Sequence, residues 1–321
     1  MVQMNIDGLH TIVFSGGGTR GLSYIGFLMA FQDTYGKTVG QHFHTFCGSS
    51  VGALFALFAC LNISVEDGLA LFEAVGLDVI FDKDPTWLIT NFALNSGEAL
   101  RQLLLQVLAK RSFGPATTFA ELRERTSKNL VVTVVDLNSA ATLYFDASNQ
   151  GRDLSVVAVV MGSMALPPMF PPVAAGPYLL TDGGLTDNFS IAHCNPETTL
   201  GVRTSWYIEP GVCTTDIATY YTRILSILQL SMHALQASVA MQYPNNVYID
   251  LGPISPASTN VNVSDVIFKG YRASMSRFAC KQGPYQPEVP TKFLPASVDG
   301  PSDHEATYLK KIRAILKKKA P

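Results

Sequence analysis

A Gly-x-Ser-x-Gly pentapeptide, running from Gly48 through Ser50 to Gly52, constrains the fold of this chain more than any other feature. The pattern of residues 42–46 predicts a short strand before it, and the apolar run of residues 51–61 predicts a buried helix after it. A serine on so sharp a strand-to-helix turn holds its Oγ at the top of a sheet, beside the positive end of the helix dipole. The two glycines let strand and helix approach closely, where a Cβ atom would clash. Ser50 is therefore a candidate nucleophile.

The pentapeptide consists of common residues and identifies nothing alone, so its meaning depends on the segments around it. Upstream, Thr11–Phe14 predicts a buried strand, and residues 15–21 read Ser-Gly-Gly-Gly-Thr-Arg-Gly before a predicted helix at residues 22–31. A strand, a glycine loop and a helix in this order present successive backbone N–H groups to an anion.

Three interpretations of the glycine loop compete. Gly16, Gly18 and Gly21 fit a dinucleotide-binding fingerprint, but that site needs an acidic residue ~20 positions on, and residues 41–46 contain none. A phosphate-binding Walker loop needs a Gly-Lys-Ser/Thr sequence, which is absent. An oxyanion hole needs amides that face the oxygen of a tetrahedral intermediate. This third interpretation alone explains why a nucleophile turn follows the loop.

A third motif lies downstream, where a predicted strand at residues 178–181 ends at Asp182 and is followed by Gly183 and Gly184. The carboxyl end of a strand is where an α/β sheet displays catalytic groups. An ordinary Asx-turn is the alternative interpretation. Between these motifs, residues 130–137 form a continuous β-branched run, which is typical of a sheet covered on both faces.

The three motifs, in this order, resemble the patatin-like phospholipases. The resemblance spans about residues 9–194, and two weaker matches lie inside it, the Val-Asp-Leu of residues 135–137 and the proline-rich residues 163–172. Ser190 departs from the family pattern, which often has proline there. The resemblance implies a three-layer α/β/α fold with a mostly parallel central sheet over residues 9–200. We expect residues 201–321 to form a mainly helical region packed on this catalytic domain.

The resemblance also implies roles for individual residues. Ser50 would be the nucleophile of a Ser–Asp dyad and Asp182 its general base. The remaining motif residues would form the oxyanion hole (Gly16, Gly17, Gly18, Arg20 and Gly21), the nucleophile elbow (Gly48 and Gly52) and the support of the aspartate (Gly183 and Gly184). The implied activity is that of a lipid acyl hydrolase of the phospholipase A or lysophospholipase type. Its substrate would be a phospholipid or another lipid ester, and it would need neither a metal nor another cofactor.

Asp182 raises a physical difficulty, because a free carboxylate with a pKa of about 3.9 is a poor base at neutral pH. It can serve if an apolar pocket raises that pKa, or if the oxyanion hole supplies most of the stabilisation. A Ser–His–Asp triad is the rival mechanism, with His193 in a permitted order along the chain. A non-catalytic module that binds a lipid or a nucleotide is the alternative from a different class of function.

The remaining features bear on partners and location. The formal net charge of −2 gives no reason to expect a nucleic acid partner. Residues 1–9 lack the pattern of a secretory signal, and five cysteines without a framework predict reduced thiols. We therefore expect a cytoplasmic protein for which a membrane surface is a peripheral partner. Residues 308–321 carry six basic and no acidic residues, and their short apolar face favours a solvated helix over a surface-seeking one.

A long helix with one apolar face is predicted at residues 217–241, where polar residues interrupt an apolar run. It belongs in water or at an interface, because a membrane span needs ~18 or more uninterrupted apolar residues. Its apolar face is marked by Ile217, Tyr221, Ile224, Leu228, Met232, Leu235 and Val239.

Overall fold

One sheet of eight strands organises the computed structural model, which describes residues 4–76, 80, 84–207, 216–252, 254 and 261–279. Its spatial order is β5-β6-β3-β2-β1-β7-β8, and β4 pairs with β3. The central pairs β3-β2, β2-β1, β1-β7 and β7-β8 are parallel, whereas β4, β5 and β6 join by antiparallel pairs. The strands are β1 (Thr11–Phe14), β2 (Thr45–Ser49), β3 (Asn129–Asp136), β4 (Ala141–Phe145), β5 (Val173–Ala175), β6 (Tyr178–Asp182), β7 (Thr199–Thr204) and β8 (Asn246–Ile249).

Strand β3 brings the ends of β2 and β6 together. Its residues from Val134 onwards pair with both β4 and β6, so these two strands occupy opposite edges of β3. On the edge shared with β6, β2 pairs with the preceding residues of β3, and Ser49 lies opposite Thr133. Asp182 lies opposite Val134, the next residue. Because β6 runs antiparallel to β2, the last residue of each strand arrives at the same point of the sheet.

The helices connect and cover these strands. α3 is apolar on all sides and fully buried, as expected of a helix inside a core. Short 3₁₀ helices follow β1 at Gly18–Leu22 and lie after β6 at Gly183–Leu185 and Ser190–His193. The α-helices of the described residues are α1 (Ser23–Tyr35), α2 (Val39–His42), α3 (Val51–Cys60), α4 (Val65–Val75), α5 (Pro85–Asn91), α6 (Glu98–Ala109), α7 (Phe119–Thr126), α8 (Val156–Ser163), α9 (Ile217–Ala240) and α10 (Val263–Phe278).

The two faces of the sheet are covered unequally. Neighbouring residues of β1 point to opposite faces, as the two-residue period of a strand requires. Phe14 belongs to a large core cluster with α1, α3 and α10, whereas Val13 belongs to a small one. Phe189 and Ile191 supply part of this small cluster, and Ala240 at the end of α9 closes it. One layer is therefore a thick set of helices, whereas the described residues of the other layer include the segment around the Ser190–His193 3₁₀ helix and the end of α9.

A close crossing ties α10 to α1. A Cβ atom on Gly26 of α1 would lie 2.0 Å from the carbonyl oxygen of Ile267, and one on Gly270 of α10 would lie 2.0 Å from that of Ser23. Two glycines thus allow the two helix backbones to touch. α10 thereby supports the helix that follows the glycine loop.

The predicted mixed α/β fold, with helices flanking a central sheet, is confirmed. Some local predictions are wrong. Residues 42–46 do not form one strand, because Thr38 and Gln41 form a capping box that starts α2, and β2 begins at Thr45. β7 is fully buried although its sequence contains a glycine and an arginine. The predicted domain boundary after residue 200 falls inside β7, and β8 extends the same sheet. The basic residues 308–321 lie outside the described residues.

Candidate active site

Ser50 is the single residue between β2 and α3, and its backbone conformation is strained. Its φ of 55° and ψ of −131° lie in a region that few non-glycine residues adopt. The turn is so tight that a Cβ atom on Gly52 would lie 2.3 Å from the carbonyl oxygen of Phe14. One on Gly48 would lie 2.2 Å from that of Gly52. This is the geometry of a nucleophile elbow, and the two predicted glycines occupy its two points of closest approach.

The hydroxyl of Ser50 donates a hydrogen bond of 2.7 Å to Oδ2 of Asp182. The other carboxylate oxygen, Oδ1, accepts the amide of Gly184 at 2.7 Å. Asp182 is only 1% exposed, and burial raises its pKa from the ordinary 3.8 to about 7, although both hydrogen bonds act to lower it. Desolvation disfavours the charged carboxylate more than two donors favour it. The structure therefore brings the two predicted residues together and makes the carboxyl a stronger base.

Ser163, at the end of α8, fixes the backbone of the elbow. Its hydroxyl accepts the amide of Ser50 at 2.9 Å and donates to the carbonyl oxygen of Thr133 at 2.6 Å. The side chain is fully buried, so these two bonds satisfy a hydroxyl that would be costly to bury unpaired. We did not predict this role from the sequence, although residue 163 opens the proline-rich segment that resembles the family.

The glycine loop offers two amides rather than the predicted larger set. Gly17 and Gly18 line the pocket that contains Ser50, and their N–H groups donate to no atom of the described residues. The amide of Gly16 is unavailable, since it donates to the carbonyl oxygen of Asn188 at 2.9 Å. The side chain of Asn188 in turn donates to the carbonyl oxygen of Gly16 at 3.2 Å, which holds the loop beside the aspartate strand.

Arg20 and Gly21 do not line the pocket, so the geometry gives no support to their predicted place in the oxyanion hole. The amide of Arg20 donates to the carbonyl oxygen of Gly17 at 3.2 Å. Its guanidinium is fully buried and donates to the carbonyl oxygens of Ser205, Tyr207 and Ile254 at 2.9, 3.0 and 2.6 Å. Gly21 packs against the side chain of Val51, which a Cβ atom would approach to 2.5 Å. The contacts of both residues therefore hold the glycine loop in position.

The pocket beside Ser50 is apolar on most of its surface. It encloses about 790 Å³ of space between atoms, including its open mouth. Asn188, Trp206 and Gln229 add polar groups, and none of the three was predicted as a site residue from the sequence. An apolar cavity with a few polar groups is typical of a site for a small apolar ligand. The apolar lining consists of Leu22, Val51, Leu54, Phe55, Phe72, Ile80, Leu100, Leu103, Met164, Leu166, Met169 and Phe170.

His193 lies in a different cluster. Its Nε2 is 3.6 Å from Oδ2 of Asp187, and its ring centroid is 4.2 Å from that of Tyr144. The hydroxyl of Tyr144 donates to the same carboxylate at 2.8 Å, and Gln236 of α9 donates to Oδ1 of Asp187 at 2.8 Å. No histidine lines the Ser50 pocket in the part of the chain that the structure describes. The geometry thus gives no support to a triad that includes His193.

A family profile and a curated protein match this chain. The profile described as patatin-like phospholipase matches residues 12–194. The chain belongs to the patatin-like phospholipase family. Over 184 residues, this patatin-like chain is 27% identical to a cGAMP-activated phospholipase of Pseudomonas aeruginosa, a match that covers 56% of this chain and 53% of the relative. The chain thus spans about half the length of that curated relative.

One solved structure has a similar fold over most of this chain. VipD from Legionella pneumophila is similar with a TM-score of 0.56 and 18% identity, over 84% of this chain and 67% of that chain. The type III effector protein ExoU is 14% identical over 86% of this chain and 53% of its own, with a TM-score of 0.47 that is too low to add to the argument. Within the described residues, no helix has the length and apolar character needed to cross a membrane.

Proposed function

We propose that the chain is a lipid acyl hydrolase of the phospholipase A or lysophospholipase type that works through a Ser50–Asp182 dyad. The observation that supports this most is the 2.7 Å hydrogen bond from the Ser50 hydroxyl to a buried carboxylate. Family membership supports the class of reaction, and the apolar pocket around Ser50 supports an acyl chain as the bound group.

The proposed reaction has two halves. Ser50 Oγ attacks the ester carbonyl carbon while its proton passes to Asp182, and the amides of Gly17 and Gly18 stabilise the oxyanion. The carbon–oxygen bond to the alcohol then breaks, and the alcohol leaves with the proton from Asp182. A water molecule next gives its proton to Asp182 and attacks the acyl-enzyme. Collapse of the second tetrahedral intermediate releases the fatty acid and returns the proton to Ser50.

Burial answers the objection that an aspartate is too weak a base. A general base is most effective when its pKa lies near the operating pH, and burial raises the pKa of Asp182 to about 7. The strained turn at Ser50 supports the nucleophilic role of that residue, because it holds the hydroxyl in place without reorganisation. The hydrogen bond that the Ser50 amide donates to Ser163 Oγ supports that geometry further.

The direct test is incubation of the purified chain with mixed phospholipids, with released fatty acids identified by mass. We expect Ser50→Ala and Asp182→Asn each to lower the rate by at least ~10³-fold, because residues of one catalytic unit fail together. His193→Ala is the matched control and should retain most of the rate. Because the curated relative is described as cGAMP-activated, each assay is run with and without cGAMP.

The outcomes separate this proposal from its rivals. Loss of hydrolysis in His193→Ala with retention in Asp182→Asn would favour a triad and contradict the dyad. A wild-type chain that binds lipid, releases no acid under either condition and resists labelling by a fluorophosphonate would be a non-catalytic binding module. Release of acid only from single-chain esters would narrow the proposal to a lysophospholipase, and release only from neutral esters would keep the mechanism and change the substrate.

A further inference from the structure

Helix α9 is oriented with its polar side towards the protein and its apolar side towards solvent. At 100° per residue, Gln229, His233 and Gln236 share one side of the helix. Gln229 lines the Ser50 pocket, the His233 ring lies 6.1 Å from that of Trp206, and Gln236 donates to Asp187. The side of α9 that faces the protein is therefore polar, whereas the side of a soluble helix that faces the core is usually apolar.

The opposite side of α9 is an unpartnered apolar surface in the described structure. Leu228 is 57% exposed and Leu235 is 62% exposed. Single exposed apolar residues are ordinary, but a contiguous apolar stripe marks an interaction site. We call this stripe the outer face of α9, and it consists of Tyr220, Tyr221, Ile224, Ile227, Leu228 and Leu235.

The chemistry of the outer face fits a lipid surface. Residues 217–240 contain no acidic residue and one arginine, so nothing on the helix repels anionic head groups. Tyrosine rings carry an apolar body and a polar hydroxyl, a combination enriched where one end is apolar and the other wet. The 24-residue helix is roughly 36 Å long, enough to lie flat along a membrane.

The position of the helix distinguishes a bilayer from a protein partner. Gln229 on the polar side lines the pocket, so the outer face and the pocket are carried by the same helix. A protein seated on the outer face would stand beside the pocket without supplying its ligand. A bilayer on the same face would bring acyl chains to the pocket, with less exposure to water in between. This argument rests on the proposed lipid hydrolase function.

We propose that the outer face of α9 docks on the lipid surface from which the pocket draws its substrate. The test uses the full chain with Ser50→Ala, which leaves vesicles intact, in sedimentation with phosphatidylcholine vesicles with and without phosphatidylserine. Adding Leu228→Ser and Leu235→Ser should lower the partition coefficient at least ~10-fold, as expected for removing two large apolar side chains. Leu137→Ser removes a leucine that is 48% exposed after β3, and this control should change it less than ~2-fold.

A second measurement separates docking from folding and from chemistry. On the Ser50 background, the Leu228→Ser, Leu235→Ser chain should hydrolyse vesicles at least ~10-fold more slowly while keeping its rate on a soluble short-chain ester within ~2-fold. Docking is overturned if the parent chain ignores both vesicle types or if the double substitution binds as well as the parent. It is also overturned if light scattering shows a dimer that the double substitution dissociates, because a second copy would then cover the face. Vesicle binding through this face without hydrolysis would sustain docking and contradict the proposed function.

Discussion

The carboxyl of Asp182 is buried, and burial sets the pH range in which it can accept a proton. Its pKa is raised to about 7, and only the ionised form is a base. We therefore expect kcat/KM on a soluble ester to rise with pH, to be half-maximal near pH 7 and to be roughly 100-fold lower at pH 5. A pH–rate profile, with thermal unfolding followed at each pH, measures this. A profile already flat above pH 5 would contradict it.

The same burial has a cost in stability that depends on pH. A carboxyl whose pKa is raised in the folded state contributes stability below its unfolded value of 3.8, and this contribution is lost as the pH rises through about 7. Asp182→Asn removes the charge, so its free energy of unfolding should exceed that of the wild type by roughly 1–3 kcal/mol at pH 8. The difference should vanish near pH 4. Asp153→Asn, at a side chain that is 88% exposed, should show no such trend.

We expect Arg20 to act as a positioning residue rather than as an oxyanion donor. Arg20→Lys cannot satisfy the three carbonyl oxygens that the guanidinium bonds, and buried acceptors left unpaired cost about 1–3 kcal/mol each. We expect a loss of at least ~2 kcal/mol in denaturant unfolding. The folded fraction should show a lower kcat with little change in KM, since the loop amides move. Arg101→Lys, at an exposed position, is the control and should be neutral.

The residues that could be predicted from their own motif are those whose role is local, whereas the pairing of Asp182 with Ser50 was predicted from the family resemblance. Ser50, Gly48 and Gly52 belong to one turn, and the turn itself demands those residue types. The functions of Ser163 and Asn188 could not be predicted, because each depends on a partner distant in the chain, at Ser50 and at Gly16. A hydroxyl at a helix end and an amide in a loop have too many possible partners for spacing to choose among them.

Among the elements, the crossing of α1 and α10 carries the sharpest test. Alanine normally stabilises a helix relative to glycine by about 1 kcal/mol, but a Cβ atom on Gly270 would lie 2.0 Å from the carbonyl oxygen of Ser23. We expect Gly270→Ala to destabilise the fold by at least ~2 kcal/mol, because backbone must move. Gly68→Ala on α4 is the matched control, since its Cβ atom would meet only Phe58 at 3.5 Å. Chemical denaturation of both variants decides it.

Helical spacing predicted α9 well but not its orientation. Tyr221, Ile224, Leu228 and Leu235 share a face as predicted, and that face is exposed. Periodicity reports that a helix has two different sides, and the usual inference that the apolar side meets the core is a tendency of soluble helices. Here the hydrogen bond from Gln236 to Asp187 joins the polar side to the protein. Tertiary contacts, which periodicity does not contain, decided which side faces inward.

At the scale of the whole molecule, the sheet runs past the region that carries the family motifs. The family profile ends at residue 194, but β7, β8 and α10 continue the same sheet and core. Residues 201–321 were expected to form a mainly helical region packed on the catalytic domain, but part of β7 and all of β8 lie in this region and belong to the same sheet. The motifs could be assigned from the sequence because they are contiguous, whereas the strands that complete the sheet have ordinary sequences.

The pocket is lined by residues from the part of the chain that the family profile matches and by residues that follow it. The hydroxyl, the carboxyl and the loop amides all precede residue 194, whereas Trp206 and Gln229 of its wall come after it. The later wall can therefore change without altering Ser50 or Asp182, provided that the carbonyl oxygens bonded to Arg20 are kept. On that condition, we expect chimeras joined after β7 to combine the motif residues of one parent with part of the pocket wall of the other.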